Sequence, residues 1–178
     1  MKKIVRSVLA SVYASVFAFA ASAALAQSAA PSDAQIAGIV VTANTVDIDA
    51  GKLAQKMSKN KEVMQFGKQM VTDHTGVNKQ ATALVNKLKV KPEDSDTSRS
   101  LKAGGDANIS KLKGLKGAEF DKAYVDNEVT YHQAVIDALD KTLIPNAKNA
   151  ELKDLLEKVK PAFVAHLAHA RQIQQTLK

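Results

Sequence analysis

Three histidines stand at matching depths in a chain that otherwise offers little chemistry. His74, His132 and His166 each fall on an apolar stripe of spacing three and four. Counted along their helices at 1.5 Å per residue, they lie within about 6 Å of one level, and Asp47 and Glu128 share it. Imidazoles with one or two carboxylates suit Zn, Cu, Ni or Fe, and helix-bundle interiors are where such sites are built. Asp47, His74, Glu128, His132 and His166 are therefore the candidate metal ligands. The same residues admit a structural reading, in which they hydrogen-bond to one another as a polar layer that sets helix register. Both readings stand on sequence alone, and no cofactor is assigned. His169, three residues after His166, is expected at the surface edge.

Other chemistries fit poorly. A di-iron oxidase needs Glu-x-x-His on two helices. The residues three before the histidines are Val71, Val129 and Phe163, so that motif is missing. Asp73 adjoins His74 but is expected to point about 100° away around its helix. There is no nucleophile elbow, and Gly104-Gly105 follows no strand that would make it a phosphate loop. With no Cys, thiolate sites, disulfides and cysteine nucleophiles are excluded. No catalytic constellation emerges, and the expectation is a protein that is not an enzyme.

The elements that must position these side chains read as helices throughout. Ser32-Asp33 starts helix A, whose stripe runs Ile36, Val40, Ala43, Asp47, Ala50, Ala54 and Met57. Helix B begins after Ser58-Lys59-Asn60 and carries Val63, Phe66, Met70, His74, Val77 and Ala81 to about Val90, where Pro92 ends it. A weaker helix over about 98–113 contains Gly104-Gly105, a pair that costs about 1 kcal/mol per Gly relative to Ala. Helix C, about 118–142, carries Phe120, Tyr124, Val125, Val129, His132, Ile136 and Leu139; Ile144-Pro145-Asn146 then turns the chain. Helix D, about 149–177, carries Leu152, Leu156, Val159, Phe163, His166, Ala170 and Ile173, with Pro161 expected to kink it. Short A–B and C–D turns make each pair antiparallel, and the long B–C connection makes B parallel to C. The fold class is all-α: a ferritin-like four-helix bundle whose long B–C crossover holds a short extra helix.

The N-terminus supplies an address. Met1-Lys2-Lys3-Ile4-Val5-Arg6 is basic, an apolar run of about 14 residues follows from Val8, and Ala24-Leu25-Ala26 offers a cleavage site, the anatomy of a secretory signal. The run is shorter than the roughly 20 apolar residues a membrane span requires. The domain reading is signal peptide 1–26, a disordered mature tail 27–32, and the bundle over 33–178. Cleavage after Ala26 removes three of the 25 bases and none of the 18 acids, so the net charge falls from +7 to +4. Dispersed lysines, three Tyr, five Phe and no Trp argue against a nucleic-acid surface. No integral membrane segment is expected in the mature chain, and no protein partner is identified.

Four strings carry a family likeness: Ala43-Asn44-Thr45-Val46-Asp47 with Gly51-Lys52-Leu53-Ala54; Phe66 through His74; Phe120-Asp121-Lys122-Ala123-Tyr124 with His132; and Pro161 through Leu167. Together they resemble the bacterial envelope family called domain of unknown function 4142, sometimes labelled predicted outer membrane protein, over about 36–176. The resemblance implies a ferritin-like bundle exported from the cytoplasm and no established activity. It also implies that the helix A acid, often Glu in such proteins, is Asp47 here. The expected protein is an exported, periplasmic, non-enzymatic bundle related to the envelope or to stress, with outer-membrane association as a further option. The alternative is a metal-binding protein using the His/Asp layer.

Overall fold

The computed structural model describes residues 30–177; the signal segment 1–26 lies outside them. Helix α1, Asp33–Met57, starts on a capping box in which Ser32 Oγ accepts from the Gln35 amide and Gln35 Oε1 accepts from the Ser32 amide. Ala30 and Pro31, just before this helix, line a cavity. Helix α2, Lys61–Leu88, starts where the Asn60 side chain accepts from the Glu62 and Val63 amides. It ends slightly before the expected Val90, because Lys89 adopts a left-handed cap with φ 54°.

Helix α3, Asp96–Lys113, is the extra helix expected in the crossover at about 98–113, begun two residues earlier. It is an 18-residue element opened by a Ser95/Ser98 capping box, and it lies along α1. Gly105 makes that approach possible: a Cβ there would sit 2.7 Å from a Val46 methyl. The glycine that weakens the helix locally is the residue that seats it.

Helix α4, Gly117–Ala138, gives way to a π-helical turn, Leu139–Leu143, and a single turn α5, Ile144–Asn146. The expected α-helix to residue 142 is thus widened in its last turn, where Leu139 and Leu143 are buried in the core. Helix α6, Ala150–Thr176, begins at an Asn149 cap and continues through Pro161.

Contacts at the ends give the direction of each helix. Asp33 at the start of α1 accepts from the Lys148 and Asn149 amides, so the α1 N-terminus and the α5–α6 turn share one end, called upper here. Thr176 at the end of α6 bonds Glu62 at the start of α2, which marks the lower end. Helices α2 and α4 therefore run parallel, as the long connection requires, and α1 and α6 run against them. The chain is an all-α bundle with α3 as a fifth long helix. Two apolar clusters fill it: an upper one from Ile36 to Leu167 and a lower one containing Phe66, Phe120 and Tyr124. Among the described residues, no helix is long and apolar enough to cross a membrane.

Candidate metal centre

Between the two apolar clusters lies the polar layer. Asp47, His74, Glu128, His132 and His166 are all at most 3% exposed, so all five predicted site residues are brought to one buried level. The three imidazole rings form a triangle with centroid separations of 5.6, 5.3 and 5.4 Å. Each offers a ring nitrogen, and those atoms lie within 4.8 Å of one another; Asp47, Glu128 and His132 form a second such group. His74 is held between its neighbours by stacking on Phe163, with centroids 5.1 Å apart.

One nitrogen of every ring is tied down. Asn44 Nδ2 donates to the Val40 carbonyl, which turns Asn44 Oδ1 toward His74 Nδ1 at 2.6 Å. That oxygen can only accept, so His74 Nδ1 carries a proton. His132 Nδ1 lies 3.1 Å from the Glu128 carbonyl oxygen and donates to it. His166 Nε2 lies 2.9 Å from Asp73 Oδ2 and donates to that carboxylate. The opposite nitrogens are His74 Nε2, His132 Nε2 and His166 Nδ1, and all three are buried without a hydrogen-bond partner. Outer hydrogen bonds that fix the tautomer and leave the other nitrogen's lone pair free are the usual support of a metal-ligating histidine.

The two carboxylates shift in opposite directions. Burial alone would raise the Asp47 pKa, but His74 and His132 beside it bring it below the ordinary value. Burial first, and the Asp47 charge next, push the Glu128 pKa well above its ordinary value. Asp47 Oδ2 lies 2.7 Å from His74 Nε2 and 3.4 Å from His132 Nε2, yet it is aligned with neither as a hydrogen bond. Tyr124, next to Glu128, is likewise pushed up by burial and by the carboxylates. Burial lowers His166, assisted by His74 and His132 and opposed by Asp73.

Two supporting residues go beyond the predicted set. Asp73 does face away from His74, but α6 packs there, so it meets His166 instead. Asn44 lies one turn before Asp47 on the same face of α1, a spacing at which its role was visible. His169 stands half-buried against Phe66 and Gln69, away from the triangle.

Above the layer, a cavity of about 880 Å³ opens between α1, the start of α3 and the π-turn. Apolar side chains such as Ile39, Leu139 and Val159 wall it, and Asp47, His74 and His132 line its polar part. Single-sequence periodicity carries no signal for such a void.

No curated protein matches the chain. The crystal structure of a DUF305 protein from Streptomyces coelicolor, proposed to be secreted, superposes with a TM-score of 0.65 over 79% of this chain and 90% of that one. Identity is 12%, so this likeness concerns the fold. The family model "Domain of unknown function (DUF4142)" matches residues 18–173, and the chain belongs to that family.

Proposed function

We propose that the protein is an exported metal-binding protein of the bacterial envelope, holding one divalent transition-metal ion on His74, His132, His166 and Asp47. The observation that carries this reading is the convergence of three partnerless imidazole nitrogens, each locked from behind, beside an ionised carboxylate. A self-satisfied polar layer could pair His74 Nε2 with Asp47 Oδ2, 2.7 Å away, but would leave His166 Nδ1 unpaired, at about 1–3 kcal/mol. A nitrogen-rich donor set suits Zn2+, Cu2+, Ni2+ or Fe2+ and disfavours Mg2+ and Ca2+. Glu128, with Asp47 and His132, forms a second group of possible donors beside the imidazoles. Export to the periplasm is supported by the secretory-signal anatomy of residues 1–26 and by the DUF305 protein's own proposed secretion.

Elemental analysis of protein isolated from its own compartment tests the reading. One metal ion per chain, lost in His74→Ala and retained in His169→Ala, is the expected result. Metal-free protein that also fails to take up Zn2+ or Co2+ in titration would return the site to a purely structural layer.

A further inference from the structure

The upper cavity is a chamber with an aliphatic wall. Ile39, Val40, Leu139, Leu143, Leu156 and Val159 line it, and all six are at most 7% exposed. Its volume, about 880 Å³, lies within the roughly 300–1,000 Å³ of ordinary small-molecule sites. Protein cores rarely leave voids larger than a water molecule. Water fills such a space poorly, because each molecule needs two to four polar partners and an aliphatic wall supplies none. Leu139 and Leu143 belong to the π-turn, and such turns recur at functional sites.

The polar layer is a closed floor to this chamber. Asp47, His74 and His132 border it, but their unpartnered atoms are buried. An occupant therefore has no need to reach a metal ion, and the site stands apart from the metal-binding reading.

The mouth narrows the chemistry of the occupant. Asp96 and Lys141 line it at the surface, Asp96 paired with Arg99 and Lys141 with Asp137. These four charges cancel, so the mouth offers a charged head group no net attraction. Two neutral amides, Gln35 and Asn146, stand there as well. Gln35 Oε1 accepts from the Ser32 amide, and Asn146 Nδ2 donates to the Thr142 carbonyl. Their other halves, an NH2 donor and a carbonyl acceptor, suit a neutral hydroxyl, which both donates and accepts.

We infer that the chamber binds a neutral amphiphile, an aliphatic chain whose uncharged hydroxyl end sits at the Gln35–Asn146 mouth.

A fluorescence competition on the purified protein tests this. N-phenyl-1-naphthylamine, a neutral probe that brightens in apolar surroundings, is bound first and then displaced by alcohols of increasing length. One saturable probe site per chain is expected. Decanol should bind at least about 100-fold more tightly than hexanol, since burying each of the four added methylenes tightens binding about fourfold. Decanoate and decylammonium should each compete at least about tenfold more weakly than decanol, because the chamber leaves their charges unpaired. Ala138→Trp, which fills the chamber beside the π-turn, should weaken decanol at least about tenfold. Ala165→Trp, at an exposed position of α6, should not weaken it. If Ala138→Trp does not fold, the chain-length and head-group series on the unaltered protein decide alone. Chelation should leave every affinity unchanged, whether or not the protein carries a metal. No saturable probe site, no dependence on chain length, equal or tighter binding of either ion, or an affinity lost on chelation overturns the inference.

Discussion

The two halves of the bundle are built from the same helices but packed to different ends. Below the histidine layer, Gly51 and Gly67 meet so closely that a Cβ on either would lie 2.7–2.8 Å from the other's carbonyl oxygen. There Phe66, Phe120 and Tyr124 are fully buried, and Phe120 stacks on Tyr124. Above the layer the side chains are mainly aliphatic, the last turn of α4 is widened, and a large cavity remains. A protein selected only for stability has no reason to pack one half tightly and leave the other half open. The contrast sets a dense lower half against an open upper half, with the polar layer as the boundary.

Matched truncations should break or sharpen this contrast most strongly. Leu112 in the lower cluster and Leu156 beside the cavity are both 0% exposed. Leu→Ala changes in cores cost about 2–5 kcal/mol, depending on how many contacts are lost and what void remains. Leu112→Ala should fall near the top of that range, about 4–5 kcal/mol, since it opens a new void in a dense region. Leu156→Ala should cost about 2–3 kcal/mol, since it enlarges an existing one. Equal losses in urea denaturation would remove the distinction between the halves.

The boundary layer comes next in size. A metal present at 100 times its dissociation constant stabilises the folded state by about 2.7 kcal/mol. For a chain of this length that corresponds to about 5–10 °C in melting temperature. Chelation at pH 7.5 should lower the transition of the loaded protein by that amount and leave the His74→Ala transition where it was. A loaded protein whose transition a strong chelator does not move would leave the layer without a bound ion.

How much of this was legible in the sequence depends on the kind of contact. The helices, their directions and the common level of Asp47, His74, Glu128, His132 and His166 all follow from periodicity, because a stripe of spacing three and four must face the core. Residue type is a poorer guide where packing reverses its local meaning. Gly105 looks like a helix breaker until α1 is placed against it, and Asp73 looks misdirected until α6 fills the space it faces. The π-turn and the cavity are properties of several helices together, and no single stretch of chain announces them.

Protonation distinguishes the groups of the layer in the metal-free protein. Glu128 has a raised folded pKa, so the stability it contributes is complete below the unfolded carboxylate value and is lost as pH rises toward the folded one. His166 and Asp47 are lowered, so their contributions are present above the unfolded values of about 6.5 and 3.8 and are lost as pH falls through the folded ones. Glu128→Gln keeps a neutral side chain of the same shape. It should raise the melting temperature at pH 8, where the unfolded wild type would ionise its Glu, and leave it nearly unchanged at pH 4. A lower melting temperature at both values would mean that Glu128 is ionised in the folded protein.

The smallest expected effect lies at the upper rim. Asp33 accepts the Lys148 and Asn149 amides at 2.8 and 3.0 Å, tying the α1 N-terminus to the turn that follows the π-helical segment. At the lower end the Asn60 side chain caps α2 in a comparable way. Each bond is partly or wholly exposed, so water replaces it when the acceptor is removed, and Asp33→Ala and Asn60→Ala should each cost about 1 kcal/mol. Their kinetic consequences should differ. Loosening the upper latch frees the cavity wall, so Asp33→Ala should speed amide hydrogen exchange across Leu139–Leu143 and leave the buried amides around Phe66 unchanged. Asn60→Ala lies beside the dense half, where opening requires breaking the glycine crossing and the aromatic cluster, so its faster exchange should stay within the first turn of α2. If Asp33→Ala instead raised exchange evenly through both halves, the bundle would open as one unit, and the division into a dense half and an open half would have no dynamic counterpart.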